Sequence, residues 1–228
     1  MSGRDSKTSG CVCPTDCATL FAPDRVPPAC PARREGEVMA RAREEYRREA
    51  SVARTNWEAF ARLVGHGGAG RSRLEHVMEF SRSMGWKRIG MAGCARYLPL
   101  MHAAERVLAE FGFASACFSC KVGGNKFPDI DIEKDSDWTL CNPLGQALLL
   151  NEWGADLNVA FGLCMGHDLI FQHYSDAPVT TLVVKEKISD DDPTATLRRM
   201  DAGEYACAPF LVDEEDAPAG AETTGRRS

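Results

Sequence analysis

The sequence has no apolar run of the roughly 18 residues that a membrane helix needs. It also has no excess of basic residues: 27 Lys and Arg stand against 33 Asp and Glu, a formal net charge of −6. That balance excludes general nucleic-acid affinity, which needs a basic surface. Met1 to Gly10 is polar and holds no apolar leader. No internal repeat is visible. His66, His76, His102 and His173 show no ligand spacing with any partner. These absences predict a cytoplasmic protein that engages neither membrane nor nucleic acid.

Cysteine is what the chain does have, with ten in 228 residues. The cytosol is reducing, so they read as metal ligands, redox groups or small core residues rather than disulfides. Four of them occupy one short segment. Residues 10–35 contain Cys11, Cys13, Cys17 and Cys30 together with five prolines, and few large apolar side chains. Such a segment cannot bury a core, and a metal would supply the missing folding energy. Four thiolates within twenty residues can wrap one zinc ion or an iron–sulfur cluster, and the spacing, matching neither zinc-ribbon pairs nor a ferredoxin run, leaves the metal open.

Residues 1–9 and 211–228 read as disordered tails on composition. Residues 36–210 read as a helical lead-in followed by an α/β core. Val38, Ala42, Tyr46, Ala50, Ala53, Trp57, Phe60 and Val64 recur at three- and four-residue spacing, which predicts one long helix over 36–64. Ser72 and Glu75 form a capping box that opens the next helix. Strands then alternate with helices: strands at 88–94, 113–120, 156–164 and 179–185, helices at 97–111, 142–152 and 167–174. The segment Val122–Leu140 reads as a long polar loop.

That alternation predicts a doubly wound parallel sheet of about four strands, Rossmann- or flavodoxin-like. Cys94, Cys120 and Cys164 each close a predicted strand, and Cys141 stands just before the helix that opens with Asn142-Pro143. Ligands of open parallel sheets bind beyond the strand C-termini. With neighbouring strands about 4.8 Å apart, an order of 2-1-3-4 would bring the three strand-tip thiols within reach of one small ion or cluster. Cys141 would close the site. Gly93, Gly123, Gly124, Gly162 and Gly166 cluster at the same ends and permit close approach of backbone to a ligand. His167 is a candidate ligand or proton donor, with Asp168 as helix cap or orienter. Lys121, beside Cys120, is a candidate for lowering thiol pKa values or holding an anionic substrate. Cys117 lies inside its strand and reads as a small core residue. The pair Cys117-Phe-Ser-Cys120 ends a strand rather than opening a helix, which argues against a thioredoxin-like dithiol. Asp190 to Asp192 reads as a solvated turn.

Seven words in fixed order carry a resemblance: Ile89-Gly-Met-Ala-Gly-Cys94, Cys120-Lys-Val-Gly-Gly124, Cys141-Asn-Pro-Leu-Gly-Gln-Ala147, Leu150-Asn151, Leu157-Asn158, Gly162-Leu-Cys-Met-Gly-His-Asp168 and Ala177-Pro-Val-Thr-Thr-Leu182. Over roughly residues 11–200 the chain resembles the uncharacterised prokaryotic family DUF1847. The resemblance implies metal binding, an N-terminal cysteine cluster and the α/β core, and it supplies no reaction.

Three functions follow as expectations. The first is a metalloprotein whose N-terminal cysteines hold zinc or an iron–sulfur cluster. Its core site of Cys94, Cys120, Cys141 and Cys164 would hold a second centre, an iron–sulfur cluster ahead of zinc. His167 and Lys121 would line the substrate side, and the work would be redox or sulfur chemistry with a redox protein or small molecule as partner. The second is a zinc-handling or metal-sensing protein without catalysis. The third is a metal-free thiol enzyme with Cys164 or Cys120 as nucleophile and His167 as base.

Overall fold

A computed structural model describes residues 36–49, 51–65, 70–134 and 136–204. The chain divides into two compact units, Met1–Trp86 and Lys87–Ser228.

Within the first unit the described residues form three helices: α1 (Gly36–Arg47), α2 (Val52–Gly65) and α3 (Arg73–Met84). The single helix expected over 36–64 is therefore two. Ser51 is the reason. Its Oγ accepts from Arg54 N–H at 3.1 Å, the bond of a helix N-cap, and its hydroxyl donates to the Glu45 carbonyl at 2.8 Å. One serine so ends α1 and starts α2. No residue of α1 is buried. Ala59 and Thr55 on α2 and Val77, Met78 and Ser81 on α3 supply the buried positions of this unit. The expected capping box is present: Ser72 Oγ accepts from Glu75 N–H at 3.3 Å and Glu75 Oε2 accepts from Ser72 N–H at 2.7 Å.

The second unit is a four-stranded parallel sheet in the order β2-β1-β3-β4, with β1 (Arg88–Gly93), β2 (Ala114–Ser119), β3 (Leu157–Phe161) and β4 (Val179–Val183). Helices α4 (Leu98–Glu110), α5 (Pro143–Trp153) and α6 (Met165–Tyr174) connect the strands, and α7 (Pro193–Asp201) follows β4. The central strands β1 and β3 are buried almost throughout, as a sheet covered on both faces requires. On one face Ala92, Cys120, Ala147, Leu150, Ala160, Leu163 and Phe171 form a continuous core. Met101, Ala104 and Leu108 of α4 are buried against β1 and β2.

Helix α7 had no counterpart in the sequence reading. Asp192 starts it, accepting from Thr194 N–H at 3.0 Å and Ala195 N–H at 3.2 Å. The acidic stretch before it is not simply solvated. Asp191 accepts from the Tyr97 hydroxyl at 2.6 Å and from Glu186 N–H at 3.1 Å, closing a turn over 186–191. Gly162 fits beneath Tyr97 at a φ of +58°, where an added Cβ would lie 2.1 Å from the ring.

Candidate thiol site at the strand tips

Cys94 and Cys120 are each placed by a backbone bond that extends the sheet by one step. Cys94 follows β1 and donates its N–H to Phe161 O at 3.1 Å. Cys120 follows β2 and donates to Gly93 O at 2.7 Å. Its own carbonyl accepts from Asn142 N–H at 2.7 Å, which draws Cys141 beside it. Cys164 occupies the N-cap position of α6. Asn142 caps α5, its Oδ1 accepting from Gly145 N–H at 2.8 Å. Beneath the tips lies Gln146, fully buried, whose amide donates to Gly93 O at 3.1 Å and Phe118 O at 2.6 Å. It ties β1 to β2 at the end of their ladder.

Two lysines meet these thiols. Lys185, two residues beyond β4, lies 3.2 Å from Cys94 Sγ and 3.4 Å from Cys164 Sγ. Lys121 lies 3.4 Å from Cys141 Sγ and donates to Thr139 O at 2.6 Å. Cys120, 2% exposed, lies within electrostatic reach of the Cys94 and Cys141 sulfurs. Lys185 bridges Cys94 and Cys164, and Lys121 meets Cys141. Sequence reasoning had Lys121 and missed Lys185. The signal was present: a lysine closing the fourth strand on the edge where the cysteines gather.

The electrostatics separate the thiols. Burial works to raise the Cys94 thiol, yet the Arg96 N–H, the Lys185 ammonium and the Cys120 thiol together hold it below the ordinary thiol range. Burial pushes Cys120 up to about 11 despite the Ala95 N–H, and the neighbouring sulfurs of Cys141 and Cys94 add to the rise. Burial opposes the charge on Lys185, but Cys94 and Cys164 more than offset it and its pKa rises. His167 is lowered by burial and by the charges of Lys185 and Lys121, so it stays neutral at physiological pH. Asp168, considered above as its orienter, carries a buried Oδ1 with no hydrogen-bond partner among the described residues.

Among the described residues no three rim thiols lie within 4.8 Å of one another. A group that does meet that separation lies elsewhere: His102, Glu105 and Cys117. His102 Nδ1 is 2.7 Å from Glu105 Oε2 and 3.7 Å from Cys117 Sγ. One expectation is thereby corrected: His102 has close partners in Glu105 and Cys117. Burial, with the Glu105 carboxylate, pushes the Cys117 thiol up to about 12. Strand alternation turns Cys117 and Cys120, three residues apart, to opposite faces of β2, so they do not form a dithiol. Cys11, Cys13, Cys17, Cys30 and Cys207 lie outside the described residues. No helix among the described residues is long and apolar enough to cross a membrane.

Fold and rim define the class: an α/β protein of the doubly wound type, rich in cysteine, with thiols and lysines gathered at the C-terminal edge of its sheet and a group of potential metal ligands on α4 and β2. A family model described as "Protein of unknown function (DUF1847)" matches residues 30–182. The chain belongs to this family. It is 38% identical over 149 residues to an uncharacterized protein of Methanocaldococcus jannaschii, MJ0455, across 64% of this chain and 75% of that relative.

Proposed function

We propose that Cys94, Cys120, Cys141 and Cys164 hold an iron–sulfur cluster at the strand-tip rim, and that the protein works in redox or sulfur chemistry on a small anionic molecule. The observation that carries this reading is the gathering at one rim of sulfurs from four separate segments, with Lys185 bridging Cys94 and Cys164 and Lys121 on Cys141. The donor set fits such a group. Thiolates are soft ligands suited to iron–sulfur clusters. A single tetrahedral zinc with Zn–S bonds of about 2.3 Å would set its sulfurs about 3.8 Å apart, closer than any three rim thiols lie. That spacing favours a larger body. The Arg96 N–H on Cys94 and the Ala95 N–H on Cys120 are the bonds to sulfur that tune such a centre. Lys121 and Lys185 offset the negative charge of thiolate donors and leave cationic partners for an anionic substrate, with neutral His167 as the proton-accepting group beside them. The cluster, when bound, would supply one-electron transfer or an open iron position.

The test is purification without oxygen, followed by iron and sulfide analysis and absorption near 400 nm. Cys141→Ser should lose the rim iron while the N-terminal cysteines keep theirs. Full iron in that variant overturns the ligand set.

One observation favours a second reading, metal-free thiol chemistry. Cys94 is held toward the thiolate by Lys185, with His167 neutral nearby. Cys94 then replaces Cys164 or Cys120 as the favoured nucleophile. Colourless, metal-free protein that is active and loses activity only on alkylation supports this reading over the first. Zinc handling through Cys11, Cys13, Cys17 and Cys30 stays as a third proposal, and stoichiometric zinc in colourless protein would favour it.

A further inference from the structure

We infer that His102, Glu105 and Cys117 form a separate mononuclear site for a borderline-soft divalent cation, zinc foremost, on the face of the sheet opposite Cys120. His102 and Glu105 stand at i and i+3 on α4, so both side chains leave one face of that helix. Helix α4 packs on β2, where Cys117 sits in register with Met91 of β1. Alternation sends Cys117 toward α4 and Phe118 and Cys120 to the other face, where they join the core with α5 and α6.

The geometry distinguishes this cluster from a nucleophile–base–orienter triad. In such a triad the thiol meets one ring nitrogen and the carboxylate the other. Here Glu105 Oε2 and Cys117 Sγ both approach the same atom, His102 Nδ1, at 2.7 Å and 3.7 Å. A relay cannot run through a single nitrogen. Three donor atoms of suitable type within 4.8 Å of one another are what a coordinated ion requires. With Zn–S of about 2.3 Å and Zn–N of about 2.0–2.1 Å in tetrahedral geometry, sulfur and nitrogen stand about 3.6 Å apart, close to the separation found. The carboxylate must open from the ring by less than an ångström, and its side chain, 27% exposed, has room to do so.

The donor types are a nitrogen, an oxygen and a sulfur, a mixed set that suits zinc and disfavours calcium or magnesium, which take oxygen ligands. Three protein ligands leave a fourth position. The His102 side chain is 50% exposed, so water reaches that position, the pattern of zinc sites that do chemistry rather than those that only brace a fold. On binding, Cys117 releases its proton to solvent and coordinates as thiolate, while His102 and Glu105 donate lone pairs.

The test uses the full chain under reducing conditions, loaded with zinc and counted by elemental analysis. The variants His102→Ala and Cys117→Ser are each expected to hold one zinc fewer than the parent, and Cys141→Ser to keep that equivalent. Addition of zinc should shift the ring-nitrogen resonances of His102 in 15N spectra. Cobalt in place of zinc should give tetrahedral d–d absorption, part of which is lost in Cys117→Ser. His102 is half exposed, so His102→Ala retains the fold and carries the count even where Cys117→Ser does not fold. Unchanged zinc content in a folded His102→Ala variant, or His102 resonances that saturating zinc does not move, overturns the site. Either result leaves the rim proposal untouched, because the two sites share no ligand.

Discussion

The Tyr97 hydroxyl donates to Asp191 Oδ2 at 2.6 Å, joining the residue that opens α4 to a turn 94 positions later. The same Asp191 closes the turn on Glu186, directly after Lys185. Tyr97, itself buried, thus anchors the segment that carries the cation over Cys94 and Cys164. Tyr97→Phe should remove the anchor and keep the ring. The expected cost is about 0.5–1.5 kcal/mol, read from chemical denaturation. A larger change in Cys94 alkylation rate than in global stability is the mark of a displaced lysine; equal behaviour of both variants in alkylation would show that Lys185 is held by other means.

Lys185→Met should move the Cys94 thiol upward. Its thiolate is favoured in part by the Lys185 ammonium, and only the thiolate reacts. In metal-free protein the variant should be alkylated more slowly at pH 7 and at the parent rate well above the ordinary thiol range, where both are ionised. Peptide mass spectrometry across that pH interval resolves Cys94 from the other cysteines. A rate ratio that does not change with pH would remove charge as the cause.

Gln146→Leu should be among the more damaging core changes. Its amide satisfies two strand-end carbonyls, those of Gly93 and Phe118, in a site with no solvent. Gly93 O keeps its bond from Cys120 N–H, so the variant loses two hydrogen bonds at about 0.5–1.5 kcal/mol each. The melting temperature should fall sharply, and the Cys120 thiol, 2% exposed in the parent, should become open to maleimide reagents below the global transition.

Glu75→Gln tests the capping box by pH. The Ser72 backbone N–H and then the Ser72 hydroxyl hold the Glu75 carboxyl below the ordinary carboxylate range. A depressed folded-state pKa gives stability that is present above the unfolded value and lost as pH falls through the folded one. The parent should therefore exceed the variant in stability at neutral pH, and the gap should close on acidification. Thermal melts at a series of pH values between neutral and acid give the comparison; a gap that persists in acid would assign the difference to packing.

Legibility followed the range of the interactions involved. The parallel sheet was readable because the first three strands run into a glycine or cysteine and two helices open on side-chain caps, all local signals: Gly93-Cys94, Asn142-Pro143 and Ser72 with Glu75. The assumed order matched because sequential crossovers leave few alternatives. The break at Ser51 was hidden because the apolar spacing of α1 and α2 continues across it, while the decisive bond is a serine hydroxyl to a carbonyl six residues back. Lys185 was hidden by distance, since its partners Cys94 and Cys164 lie 91 and 21 residues away. The His102 group needed the knowledge that α4 covers β2. His102 and Glu105 alone show an ordinary helical i, i+3 pair, and Cys117 reads as filler until the crossover sets it beneath them.

The opposed directions of Cys117 and Cys120 make β2 a bulkhead between two sulfur environments. An oxidised Cys120 cannot be resolved by the thiol three residues before it; the neighbouring thiols within its reach are Cys94 and Cys141 on adjacent segments. The spacing of the motif, taken alone, misstates which sulfurs can exchange partners.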